Sequence, residues 1–166
     1  MISKEYKAEL RKMHTDSPRW GRGSVQHYTY IVTQNPATVL DYGCGKGGLV
    51  RELNASGIQC TGYDPGVWEF RNRPKGKYAL VICADVLEHV EPGELDNVLA
   101  DIAGFAERDI MLVIATRKAV AVLPSGRNAH LIVENELFWI ERISKHMTVQ
   151  SYTYDGSEMK VLACLK

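Results

Sequence analysis

Val39-Leu40-Asp41-Tyr42-Gly43-Cys44-Gly45-Lys46-Gly47-Gly48 sets the frame for the whole chain. An apolar run ends in an acid, a glycine-rich turn follows, and Leu49 to Ser56 is patterned like a helix. Glycine lets a backbone turn this tightly and lie against a ligand. The helix after it would aim its N-terminal amides at whatever rests on the turn. Strand, glycine turn and helix in this order predict a cofactor site of the doubly wound α/β kind.

Outward from that turn the alternation is regular. Thr38 to Asp41 reads as a first strand and residues 47–56 as its helix. Ile58 to Tyr63 reads as a second strand, followed by Asp64-Pro65-Gly66 and an irregular piece over 66–73. Tyr78 to Cys83 is continuously apolar, as in a strand buried on both faces. Pro92 suits a first helical turn. Leu95, Val98, Leu99, Ile102 and Phe105 then form the stripe of a helix packed on a sheet. Ile110 to Ala115 is a further buried strand. Thr116 to Val133 is a long connection, and a helix covers about 134–145. Met147 to Tyr154 and Met159 to Leu165 are joined through Asp155-Gly156, which favours a tight hairpin and antiparallel strands.

Upstream, residues 3–13 read as a short charged helix. A break from His14 to Gly23 holds the turn formers Asp16, Ser17, Pro18, Gly21 and Gly23, together with Arg19, Trp20 and Arg22. Ser24 reads as the N-cap of a helix to about Gln34, ended by Asn35-Pro36. These 36 residues are too few for a second domain. The expectation is a single domain, 1–166, with a helical lid (1–36) on a Rossmann-like core (37–166).

The 166 residues carry twenty acids against twenty bases. A formal charge of zero gives no global pull toward nucleic acid or an anionic membrane. The four cysteines, Cys44, Cys60, Cys83 and Cys164, are scattered without a C-x-x-C pair, and read as reduced thiols of a cytoplasmic protein. No apolar run approaches membrane-spanning length, and the N-terminus is too polar for a secretory signal. No cluster with metal-ligand spacing is visible along the chain, so no metal is expected.

Gly43, Gly45 and Gly48 fit G-x-G-x-x-G, and Asp64 follows Gly45 by 19 residues, where a ribose-binding acid belongs. That is also the dinucleotide fingerprint. Two features argue against a nicotinamide cofactor. Asp41, two residues before the glycines, would repel a pyrophosphate but suits an ammonium group. The closing hairpin also departs from a fold that keeps adding parallel strands.

Asp41-Tyr-Gly-Cys-Gly-Lys-Gly resembles the first motif of the class I S-adenosylmethionine-dependent methyltransferases. Gly62-Tyr63-Asp64 resembles their second, Ala84-Asp85-Val86-Leu87-Glu88-His89-Val90 the segment after their fourth strand, and the terminal hairpin is also theirs. The resemblance runs from about Thr38 to Lys166. It implies a mostly parallel seven-stranded-type sheet with helices on both faces. Only 13 residues separate Asp64 from Tyr78, so the third strand of that layout is short or missing.

The resemblance also implies roles. Asp41 and the backbone of Gly43, Cys44 and Gly45 hold the methionine part of S-adenosylmethionine, and Asp64, followed by Pro65, accepts from the ribose hydroxyls. Ala84, Asp85 and Val86 line the cofactor near its methyl group. Val67 and Trp68 are candidates for an adenine wall, since that contact is otherwise unassigned. His89 and His130 are candidate general bases because an imidazole titrates near neutrality. Trp20, Arg117, Arg127 and Asn128 are candidate substrate contacts, on loops that complete ligand sites in open α/β sheets. Each has a plainer alternative. Asp41 and Asp64 could cap turns, Glu88 could be a surface acid, the connection's polar residues could be solvated, and Trp20 could pin the N-terminal segment.

The activity expected is methyl transfer to an oxygen or nitrogen of a small polar acceptor: a sugar, a metabolite or a nucleotide-linked compound. Nucleic acid is a less fitting acceptor. Two other readings share the glycine turn: an NAD(P)-dependent oxidoreductase, and a non-catalytic S-adenosylmethionine-binding subunit of a larger assembly.

Overall fold

The structure, a computed structural model, describes residues 3–17, 20–21 and 23–166. Pro18, Arg19 and Arg22 of the expected break lie outside the described residues. No helix among the described residues is long and apolar enough to cross a membrane.

Among the described residues six strands form one sheet: β1 (Thr38–Tyr42), β2 (Gln59–Tyr63), β3 (Tyr78–Ala84), β4 (Ala106–Ala115), β5 (Thr148–Tyr154) and β6 (Glu158–Cys164). Their spatial order is β2-β1-β3-β4-β6-β5. The first four are parallel, and β6 inserts antiparallel to both β4 and β5. The expected hairpin is therefore present. The sheet has six strands among the described residues, one fewer than the full family layout, because residues 64–77 form no strand, as the short spacing from Asp64 to Tyr78 implied. Asp64, Val67 and Phe70 instead bond to one another's backbones in a compact loop.

Side chains alternate across each strand, and the two sets build two cores. On one face Leu40, Val81, Cys83, Leu112 and Ile114 pack against α4 (Leu95–Phe105) and α5 (Glu136–His146), with Trp139 fully buried. On the other face Val39, Leu80, Ile82 and Val113 pack against α2 (Tyr28–Gln34) and α3 (Gly48–Ala55). Each large aliphatic group buried this way contributes about 1.5–3 kcal/mol. The period-2 and period-3.6 patterns of the sequence thus give helices on both faces of a mostly parallel sheet.

Three local readings change. The helix α1 spans Lys4–Asp16 rather than ending at residue 13, extended by the Lys12–Asp16 pair one turn apart and by Ser17 N–H donating to Met13 O. Residues Gly23–His27 form a 3₁₀ turn, so Ser24 does not cap α2; its hydroxyl turns inward to Asp41. β4 begins at Ala106, directly after α4, where the run Glu107-Arg108-Asp109 hid the strand's start. A small third core joins Tyr6, Leu10 and Met13 of α1 to Leu123 and Ala129 of the 116–133 connection.

Candidate active site

The chain leaves β1 for β2 on one side and returns to β3 on the other. The strand order therefore reverses between β1 and β3, and crevices open beyond the carboxyl ends at such switch points. A cavity of about 280 Å³ lies there. Gly43, Cys44 and Gly45 form one wall and Asp64 and Pro65 another. Ala84, Asp85, Val86 and His89 line the side beyond β3. Tyr6, Leu10 and His14, spaced four residues apart on one face of α1, close it together with Trp20.

The glycine turn is demanded by space. Gly43 has φ +79°, and a Cβ there would stand 2.3 Å from a methyl group of Val86. Gly45 has φ +53°, and its Cβ would meet the Gly21 carbonyl oxygen at 2.5 Å. The turn's amides are already used. Gly43 and Cys44 donate to Tyr63 O, Gly45 to Asp64 Oδ2, Lys46 to Gly21 O and Gly47 to Cys44 O. The amides from Gly43 to Gly47 are therefore not free to donate to a ligand. A turn without free amides is a poor cradle for a pyrophosphate, which is bound by such donors.

Three acids surround the turn. Asp41 is 1% exposed; its Oδ2 accepts from Ser24 at 3.2 Å, and its Oδ1 has no partner. Burial pushes its pKa up to about 7, with Asp64 adding and Ser24 opposing. A buried carboxylate oxygen without a donor is costly unless a ligand completes it. Asp64 accepts from Gly45 N–H at 3.0 Å and Gly66 N–H at 2.8 Å, with His14 Nε2 at 3.8 Å. Two amides and one distant ring leave acceptor capacity on a carboxylate. Asp85 occupies the left-handed region, φ +56°, and burial followed by Glu158 raises its pKa. Burial raises the Cys44 thiol as well, so it is an inert packing residue rather than a nucleophile.

At the other end stand the histidines. His89 Nδ1 lies 2.7 Å from Ala129 O and His130 Nδ1 2.5 Å from Arg117 O. A carbonyl only accepts, so each Nδ1 carries the proton and each Nε2 the lone pair. The two rings meet edge to face at 4.7 Å, and Trp20 packs on His89 at 5.1 Å. Burial pushes His89 down to about 4, and burial lowers His130 too. His89 is thus neutral across the physiological range, and weak as a proton acceptor. Beneath them Glu88 is 0% exposed, with Oε1 accepting from Ala115 N–H at 3.0 Å and Oε2 without a partner. Burial pushes it up to about 8. Glu88, His89 and His130 thereby gather where the sequence alone showed no ligand spacing; His130 follows His89 by 41 residues.

Several candidate residues are placed elsewhere. Trp68 is 77% exposed and away from the cavity, with the Arg71 guanidinium 3.0 Å over its ring. Arg127 pairs with Glu9 at 2.7 Å. Asn128 braces the connection through Ala119 N, Ala119 O and His130 N. Arg117 is exposed, and its carbonyl, rather than its guanidinium, meets His130. The lining residues Tyr6, Leu10, His14 and Ser24 were not among the sequence candidates, although the four-residue spacing of the first three was a readable helical face.

The model of a methyltransferase domain family matches residues 24–155. No curated protein matches the chain by sequence. Solved structures share the fold. The magnesium protoporphyrin IX methyltransferase of Synechocystis PCC 6803, with bound S-adenosylmethionine, aligns with TM-score 0.67 at 19% identity over 100% of both chains. The 1,6-didemethyltoxoflavin-N1-methyltransferase of Burkholderia thailandensis aligns with TM-score 0.73 at 18% identity, over 100% of this chain and 91% of that one. The N-methyltransferase NodS of Bradyrhizobium japonicum WM9 aligns with TM-score 0.64 at 12% identity, over 96% and 98%. With a family model spanning most of its length, from the Ser24–Asp41 contact to the terminal hairpin, the chain belongs to the methyltransferase domain family, as its resemblance to the class I S-adenosylmethionine-dependent enzymes implied.

Proposed function

We propose that the chain moves a methyl group from S-adenosylmethionine to an oxygen or nitrogen of a small polar acceptor. One observation carries the reading: Asp41 keeps an unpartnered, buried carboxylate oxygen under a glycine turn whose amides are already spent. That combination favours a cationic group over a phosphate. Asp41 and the turn Gly43, Cys44 and Gly45 would hold the methionine end. Asp64 would take the ribose hydroxyls, with Pro65, Ala84, Asp85 and Val86 as walls. The residues present fit the group in charge and in hydrogen-bonding capacity.

The cofactor supplies an electrophilic methyl group on its sulfonium. The chain's own task is alignment, which can contribute up to ~7–11 kcal/mol in favourable intramolecular cases. Trp20, His89 and His130 form the acceptor side. His89 offers a fixed lone pair to an acceptor O–H or N–H, an orienting role that suits its low basicity better than bulk proton removal. Arg127 and Asn128 act by holding the loop and α1, and residues 1–36 act as the lid of a single unit. A cavity of this small volume, with α1 lying across it, favours a sugar, metabolite or nucleotide-linked acceptor over nucleic acid. All four cysteines are free, which supports a reducing, cytoplasmic compartment.

The test is thermal or calorimetric titration with S-adenosylmethionine, S-adenosylhomocysteine, NAD and NADP. Ligand at ~100 times its Kd adds ~2.7 kcal/mol of stability. The expected result is stabilisation by the first two alone, followed by turnover in an acceptor screen. Stabilisation by a nicotinamide cofactor would overturn the assignment. Cofactor binding without turnover on any acceptor would favour the non-catalytic subunit.

A further inference from the structure

We infer that Glu88, His89 and His130 form a site for one divalent first-row transition cation on the wall of the cavity. One ligand atom from each lies within 4.8 Å of the others. Ligands on a tetrahedral ion at 2.0–2.1 Å stand ~3.3 Å apart, so binding draws the three together by on the order of 1 Å.

Three further observations point the same way. Both imidazoles have Nδ1 tied to a backbone carbonyl, Ala129 O and Arg117 O. That leaves both Nε2 lone pairs unprotonated and fixes the rings, the outer-shell arrangement that metal-ligating histidines use. Glu88 Oε2 is fully buried with no donor, while Ala115 N–H anchors Oε1 and fixes the carboxylate. The support is also rigid. Leu131 and Ile132 N–H donate to Glu88 O at 2.8 and 3.0 Å, and Asn128 locks the loop that presents His130. The fold therefore joins the segment after β3 to the far connection at the point where the three side chains meet.

Two imidazoles and one carboxylate suit zinc, iron, cobalt or nickel rather than magnesium or calcium, which take oxygen ligands. Three protein ligands leave a position open. His89 lines the cavity, so that position is available to an acceptor oxygen or nitrogen. This last role rests on the methyltransferase reading; the site itself does not.

The experiment is titration of the chelator-treated full chain with Co²⁺, followed by visible absorption and equilibrium dialysis. The expected result is one Co²⁺ per chain with d–d bands, displaced by Zn²⁺. Glu88→Gln and His130→Asn should each weaken binding by more than ~10-fold, since even outer-shell changes cost 10–100-fold. A wild-type far-UV circular dichroism spectrum and a cooperative melt show that each variant is folded. No stoichiometric Co²⁺ on the wild-type chain, or unchanged binding in both folded variants, would overturn the site. Co²⁺ bound without any response to S-adenosylmethionine would leave the site standing and remove its methyl-transfer role.

Discussion

The hydroxyl of Ser24 donates to Asp41 Oδ2 over 3.2 Å, and both residues are buried while Asp41 Oδ1 faces no donor. A half-satisfied buried carboxyl is costly, and under the proposed function the cationic end of the cofactor would complete it. Its folded pKa, about 7, lies above its ordinary 3.8. A raised carboxyl binds protons more tightly in the folded state, so its unfavourable contribution grows as pH rises from about 4 to about 7 and then levels off. Asp41→Asn removes that dependence. The stability difference between variant and wild type should swing toward the variant by up to ~4 kcal/mol across the window. Cofactor affinity should fall at least ~10-fold, the loss of one charge-assisted hydrogen bond. Denaturant melts from pH 4 to 8, with and without cofactor, measure both. A pH-independent difference would show that Asp41 is not the titrating group.

Gly43 tests the turn. Its φ of +79° and the 2.3 Å approach of Val86 to a Cβ leave no room for alanine. Gly43→Ala combines left-handed strain with overpacking, for a loss of ~2–4 kcal/mol. Adding Val86→Ala relieves the overpacking and not the dihedral strain, so recovery should be partial. Full recovery of the melting temperature in the double variant would mean that the backbone was never strained.

The middle of the sheet was legible because it holds continuous apolar runs: Tyr78 to Cys83 and Ile110 to Ala115 had no other reading. The Asp41 side of the cavity was legible because Asp41 and the glycines are adjacent in sequence. The histidine side was not. His89 and His130 meet only through the fold, and the partners that fix them are carbonyls, which no side-chain pattern reports. Ser24 followed its local propensity in the sequence reading, but a 3₁₀ turn and the buried Asp41 decide its place. The connection 116–133 reads as polar, yet Arg127 and Asn128 spend that polarity on α1 and on the loop itself.

Trp68 discriminates between the sequence expectation and the geometry. A stacking wall for adenine should be shielded, whereas Trp68 is 77% exposed and carries Arg71 on its face. Trp68→Ala should therefore change stability by no more than ~1 kcal/mol, the range of an exposed cation–π pair. Cofactor affinity should stay within about twofold, less than the ~1.4 kcal/mol of a tenfold change. A tenfold weakening would return Trp68 to the cofactor site.

The helix α1 is strapped across the cavity by polar contacts at its N-terminal end and middle. Ser3 donates to Glu91 through its amide and hydroxyl at 2.7 and 2.8 Å, and the Tyr6 hydroxyl donates to the His89 carbonyl. Glu9 accepts from Ser125 N–H at 2.9 Å and from Arg127 at 2.7 Å. The hydrogen bond from Ser125, then that from Arg127, holds the Glu9 carboxyl below its ordinary value. A depressed carboxyl contributes above its unfolded pKa, and that contribution is lost as pH falls through the folded one. The strap should therefore loosen in acid, and also in high salt, which screens the exposed Arg127. Glu9→Gln should reproduce this at neutral pH. Amides of α1 should exchange several-fold faster while those of β1 and β3 do not change, because local opening is independent of global unfolding. Cofactor dissociation should quicken in step, since Tyr6, Leu10 and His14 close the cavity. Faster exchange in the strands as well would mean that Glu9 supports the whole fold. Unchanged exchange in α1 would mean that the ion pair does not hold the helix down.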